Sequence, residues 1–273
     1  MLNLLKIEWL KIKNYAAFKI LAIFFIAGIL LSNYIVYLIN DKIVSASPMG
    51  EMLSLSPYNF DMTWQTTSYV TGFLLLLPAM IIIMLLTNEY AFRTNRQNVI
   101  DGWSRHEFII VKLMLAFIIA LVSTLFVFLT ALGFGLTTTS TFSFEGISHV
   151  GYFFLKAVSY NMFAVLISVL VKKTGFAIGM FFIYLGAENS VSQLLDVLGL
   201  KMKVDKTADL GNLGDYLPMN AADGLLTFPK NALKDMAVGA MPTAYTNVVL
   251  GFALAYLFLF IWWSRYKYMK ADL

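Results

Sequence analysis

Cysteine is absent, and histidine occurs only as His106 and His149. The first absence excludes disulfides, thiolate metal sites and cysteine nucleophiles, and the second leaves too few imidazoles for a histidine metal centre. Charge is scarce as well. Only 13% of the 273 residues are charged, against about 25% in a typical soluble domain. No GxxxxGK[ST], HExxH, GxSxG or dinucleotide-binding glycine pattern occurs. The chain is therefore expected to bring no phosphate-binding loop and no cofactor of its own, and no soluble catalytic constellation is visible, which leaves membrane catalysis open. Basic residues outnumber acidic ones by 20 to 16, but they are dispersed, which speaks against nucleic acid as a partner.

What is abundant is apolar surface. Hydrophobic residues make up 59% of the chain, and 23 of them are Phe. A membrane-spanning helix needs roughly 20 mainly apolar residues. Six runs meet that demand, at residues 20–39, 69–86, 108–128, 152–171, 175–195 and 246–263. The expected fold is an all-α integral membrane protein, a single permease-like domain over 1–273. The first run exceeds the 7–15 residues of a signal-peptide core and lacks a small-residue cleavage site. Segment 1–19 places Lys6, Lys11 and Lys13 among Leu5, Ile7, Trp9, Leu10 and Ile12. It reads as an interfacial helix lying on membrane lipids, or more simply as a basic flank; the interfacial helix is favoured.

Orientation follows the distribution of Lys and Arg. With both termini in the cytoplasm, the inner segments hold Lys6, Lys11, Lys13 and Lys19, then Arg93, Arg96 and Arg105, then Lys172 and Lys173, and finally Arg265, Lys267 and Lys270. This predicts a multi-pass protein of the cell membrane, a bacterial inner membrane or plasma membrane. The outer connections are 40–66, with Pro48 and Pro57, the short 134–150, and the long extracytoplasmic segment 199–242.

The densest charged stretch is cytoplasmic, TNEYAFRTNRQNVIDGWSRHEFIIVK, residues 87–112. Glu89 and Arg93 are four apart and can meet on one helical face. Arg96, Asp101, Arg105, Glu107 and Lys112 follow, interleaved with Phe92, Val99, Ile100, Trp103 and Phe108. The pattern predicts short amphipathic helices broken near Asp101-Gly102. Trp103 offers apolar contact area, and Arg105 a partner for a carboxylate or a helix end. The simpler account is an ordinary positive-inside loop with local ion pairs.

This stretch resembles the cytoplasmic signature of ABC-2-type transporter permeases, the membrane subunits of ABC exporters. The resemblance rests on Glu89 at the end of the second run, Arg93-Thr94 and a short helix, Gly102 with Ser104-Arg105, and Phe108 and Lys112 leading into the third run. The Lys-rich start and the long connection before the last run also fit. Asp101-Gly102-Trp103 departs from the more apolar, proline-containing turn of many relatives. The resemblance implies a dimer of permeases, with a second copy or a related subunit, driven by separate cytoplasmic ABC ATPase subunits that use ATP and Mg. It makes 87–112 a coupling segment, with Glu89, Arg93, Asn95, Arg96, Ile100, Trp103, Arg105 and Glu107 as candidates for docking or transmission. Asn95 to Ile100 is the preferred contact stretch.

Several polar residues fall inside apolar runs. Glu188, followed by Asn189, Ser190, Ser192 and Gln193, either lines a translocation path or marks an earlier end of its span at the outer interface. Lys156 is expected to snorkel to the outer headgroups, with substrate binding in a pathway shared with Glu188 as the alternative. Asn161 sits deeper and is a candidate for the path or for an interhelical hydrogen bond. Gly175 and Gly179 form a GxxxG spacing, expected to serve packing within the chain, and Pro78 is expected to bend the second span. The leading expectation is a non-enzymatic permease subunit that couples ATP hydrolysis by a partner to export of an unidentified substrate. Alternatives are an ATP-independent channel or secondary transporter, and a membrane assembly protein that does not transport.

Overall fold

The computed structural model describes residues 2–39, 42, 58–100, 102–138, 142–229 and 245–270, with residues 2, 3, 61, 96 and 99 described by backbone only. All of its regular elements are helices. They are α1 (Leu2–Ile12), α2 (Ala16–Ile39), α3 (Phe60–Gly72), α4 (Leu76–Ala91), α5 (Thr94–Ile100), α6 (Arg105–Thr138), α7 (Ser148–Val171), α8 (Thr174–Val204), α9 (Asn220–Asp223) and α10 (Thr246–Lys270). Single 3-10 turns lie at Phe73–Leu75 and Leu213–Tyr216.

Five helical units are long and apolar enough to cross a membrane: α2, the joined α3–α4, α6, α7 and α10. Their outward faces carry Ile23, Phe24, Leu125 and Phe258 in the open. Apolar exposure on this scale marks a surface that meets lipid or protein rather than water. The chain is thus a multi-pass helical membrane protein.

The expected fifth run differs. α8 is 31 residues long, about 46 Å at 1.5 Å per residue. It is not apolar enough to join the other five, because Glu188, Asn189, Ser190, Ser192, Gln193 and Asp196 occupy its second half. Nor does it end where the sequence suggests. It continues to Val204, so the expected loop at 199–242 begins as helix and then turns through Leu213–Tyr216 and α9. Much of the expected 40–66 loop lies outside the described residues, and its last part is already α3.

α7 is the central helix and packs against α3, α4, α6, α8 and α10. Ala157, Ala164, Val165 and Ser168 are fully enclosed. α3 reaches this core by another chemistry. Thr63, Thr66, Thr67, Ser68 and Thr71 are all buried, small side chains that let backbones approach closely. Pro78 acts upstream of itself: lacking an N–H, it cannot bond the carbonyl of Leu74, and the chain tightens into the 3-10 turn at Phe73–Leu75.

Contacts define the two ends of the bundle. At one end, Asn88 donates to Tyr15 Oη, Thr87 meets Thr174 and Arg105 meets Met269. At the other, Trp64 donates to Ser143, Gln65 to Thr227, and Tyr256 to Tyr216. Among the described residues, α2, α3–α4, α6, α7, α8 and α10 each run from one end to the other.

Candidate functional site

The first end is organised by an ionic quartet of three buried members, Glu8, Glu89 and Lys112, and an exposed fourth, Lys11. Lys112, on the first turns of α6, is 1% exposed, and Glu8 of α1 and Glu89 of α4 are also buried. Lys112 Nζ donates to Glu8 Oε2 and, at 2.7 Å, to Glu89 Oε1. Lys11 Nζ bridges the same two carboxylates at 3.0 and 3.2 Å. Two ammoniums and two carboxylates compensate one another, which buried charges require. Burial alone would raise the Glu8 carboxyl, but Lys112 and Lys11 together hold it below the ordinary value. Burial opposes the charge of Lys11 too, yet Glu89 and Glu8 keep its ammonium above the usual lysine value.

An aromatic wall surrounds the quartet. Lys112 Nζ lies 5.0 Å from the Phe108 ring, which stacks on Tyr268 of α10 at 4.9 Å. Lys11 Nζ lies 5.8 Å from the Trp103 ring. The quartet therefore ties α1, α4 and α6 together, with α10 packed on its edge.

The expected pairing of Glu89 with Arg93 does not form. α4 ends at Ala91, and Arg93 turns left-handed at φ 58°, out of helical register with Glu89. Beyond this turn, α5 buries Asn95 and leaves Ile100 83% exposed, while Phe92 is 76% exposed. Arg93 and Gln97 are exposed beside them. The Arg96 side chain and Asp101 lie outside the described residues. Glu107 acts within its own turn. Its carboxylate accepts from the Ser104 N–H and hydroxyl while its own N–H donates to Ser104 Oγ, a capping box that starts α6. Arg105 donates to the Met269 carbonyl, near the C-terminus of α10.

The second end holds a cavity of about 580 Å³ lined by Tyr69, Phe73, Lys156, Tyr160, Glu188, Asn189, Asp215, Asn220 and Asp223. Lys156 does not snorkel outward. It is 6% exposed, and its Nζ pairs with Asp223 Oδ1 at 3.2 Å. The helix α8 continues through Glu188. Glu188 is buried and accepts from the N–H groups of Met219 and Asn220 at 2.6 and 2.8 Å, where α9 begins. Asp223 also accepts from Tyr160 Oη at 3.0 Å. Gly214 brings the following loop onto α8, donating to Asp196 at 2.8 Å, and a Cβ there would stand 2.7 Å from the Ser192 carbonyl.

Glu188 and Asn189 line this cavity, but Asn161 does not: its Nδ2 donates to the Ala116 carbonyl and joins α7 to α6. Gly175 and Gly179 depart from expectation, since a Cβ at either would meet nothing within 4 Å. They lie on an open face with Phe176, Met180 and Ile183, not in a packed intrachain contact.

Sequence reasoning missed Glu8 and Lys11 as members of a site, and Asp215 and Asp223. A signal existed for the first group. Glu8 is the sole acid in the first 40 residues and Lys112 the sole charge in 108–128, and two isolated opposite charges in apolar surroundings need each other. Asp215 and Asp223 sit in a mixed polar segment, where nothing distinguished them.

No protein-family model matches the chain, and no curated protein matches it.

Proposed function

We propose that the chain is the membrane permease subunit of an ATP-driven exporter, working with separate cytoplasmic ABC ATPase subunits and a second permease copy. The observation that carries this reading is the build of the Glu89 end. The turn with Phe92 and Arg93 outward, and the short helix α5 with Gln97 and Ile100 outward, follow directly on Glu89 and are rooted through it in the quartet. A force on α5 is thereby delivered to α1, α4 and α6 together, and Ile100 and Phe92 supply the apolar anchors that a docking surface needs.

In this reading the Glu89 end is cytoplasmic and α1 lies in the membrane interface. Its exposed Ile7, Trp9 and Leu10 face lipid while Glu8 turns into the protein. α8 is the sixth span. Its charged side chains there, Glu188 and Asp196, are tolerated because they pair with the 213–224 segment instead of facing lipid. The open Gly175 and Gly179 face suits close approach of a second copy. ATP and Mg belong to the partner, whose closing and opening would press on α5 and shift packing of the bundle.

Gentle purification from the native membrane tests the reading. An ATPase should be retained in stoichiometric amount, and Ile100→Asp should release it while the permease still inserts. Recovery of a transport-active chain with no ATPase would overturn it and favour an ATP-independent transporter, the reading to which the charged cavity at the Glu188 end lends support.

A further inference from the structure

We propose that the cavity at the Glu188 end is a binding site for one organic ammonium carried on an apolar or aromatic body. The inference rests on the transporter reading and supplies the charge class of cargo that it leaves open.

Charge decides against anions. Glu188, Asp215 and Asp223 line the cavity, and Lys156 is the one cationic side chain among the lining residues. With all four ionised, two negative charges stay uncompensated in the cavity. An anionic headgroup would add a third. A small metal ion is a poor fit too, since no three His, Asp or Glu groups among the described residues converge to share one.

The cavity already shows how it treats an ammonium. Lys156 Nζ pairs with Asp223 and stands 5.7 Å from the Phe73 ring and 5.4 Å from the Tyr160 ring. A carboxylate flanked by aromatic faces is the environment that recognises organic cations. Glu188 adds a second carboxylate to the lining. It is 7% exposed; its Oε1 holds the two backbone amides, and its enclosed Oε2 lies beside the Tyr184 phenol. Its negative charge would draw a ligand ammonium into the cavity, while Tyr69, Phe73, Leu76, Phe182 and Leu185 receive the apolar body.

Asp215 adds a pH dependence. It faces Asp196 from α8 and Asp223 from α9, with Asn212 donating at 3.3 Å, and Lys156 is engaged by Asp223. Burial, reinforced by the two aspartates, pushes its carboxyl up to about 6. Below that pH it is neutral and no longer attracts a cation, so binding weakens on acidification.

The test uses the full chain in phosphatidylcholine nanodiscs without ATPase, titrated calorimetrically with benzylammonium, benzyl alcohol and benzoate against empty discs. Benzylammonium should bind saturably at pH 7.5, about tenfold or more tighter than the alcohol, with no benzoate binding. Glu188→Gln and Asp223→Asn should each weaken it about tenfold, Lys156→Met should tighten it by removing the internal competitor, and pH 5 should weaken it. Benzoate binding as tight as benzylammonium overturns the proposal, as does unchanged binding in Asp223→Asn. That variant decides if Glu188→Gln, which loses a helix-capping carboxylate, does not fold. Failure here with an ATPase still co-purifying rejects the cation site alone; success with no ATPase rejects only the coupling.

Discussion

Lys112 brings an ammonium into a position 1% exposed, and its stability there depends wholly on Glu8 and Glu89. Removing one member of a buried charge group typically costs about 3–5 kcal/mol, because the remaining charge is left uncompensated. Lys112→Met is therefore expected to lower the thermal midpoint of the purified protein sharply. Adding Glu89→Gln restores neutrality, leaving Glu8 with Lys11, so the double variant should be more stable than Lys112→Met alone. Simple additivity of the two losses would show that the quartet is not one energetic unit. The pH dependence has two arms. The lowered Glu8 carboxyl stabilises the docked α1 above the ordinary carboxylate value and loses that contribution as pH falls through its depressed value. The raised Lys11 ammonium contributes fully below the ordinary lysine value and loses it as pH rises past its elevated one. The protection of α1 against hydrogen exchange, corrected for the intrinsic rate at each pH, should thus be greatest between these limits and fall on strong acidification. Equal protection of α1 at neutral pH and under strong acid would reject the link.

The helices differ in how plainly their sequences announce them. α2, α6 and α10 are apolar almost throughout, and hydropathy alone locates them. α3 was harder to read, because its buried face is Thr and Ser and close packing by hydroxyl side chains has no hydropathy signature. The full length of α8 was hidden for the opposite reason. Glu188 through Asp196 read as an exit from the membrane, yet Glu188 and Asp196 find places against α9 and the 213–216 turn. The site was legible to a similar degree. Residues 87–112 stood out by charge, but which partner each charge takes depended on helices remote in sequence: Glu89 met Lys11 and Lys112 in place of its neighbour Arg93. The glycine pair on α8 carries its own prediction. Gly179→Leu places a side chain into open space, so the folded chain should keep its thermal midpoint while crosslinking between copies along α8 declines. A lowered midpoint with unchanged crosslinking would return the pair to a role inside the chain.

At the scale of the whole molecule, parity constrains the topology more tightly than hydropathy does. Glu8 meets Lys112 and Met269 meets Arg105, so α1 and the end of α10 lie at the same end of the bundle. Two points of the chain that share one side of a membrane are joined by an even number of crossings. Five helical units qualify by length and composition, and five is odd. On the topology proposed above, α8 supplies the sixth crossing. It starts beside Thr87 and ends beyond the cavity, antiparallel to its neighbour α7; Glu188, Ser192 and Asp196 in its polar half turn toward protein, while Asn189, Ser190 and Gln193 are exposed. Because the chain contains no cysteine, single substitutions can test this without a background. Ile100→Cys and Asp205→Cys both place a thiol at an exposed position, one at each end of the bundle. In intact cells an impermeant maleimide should label Asp205→Cys and leave Ile100→Cys unmodified until the membrane is opened. Labelling of both, or of neither, before permeabilisation would remove α8 from the membrane and with it the arrangement that puts the docking helix and the cation cavity on opposite sides.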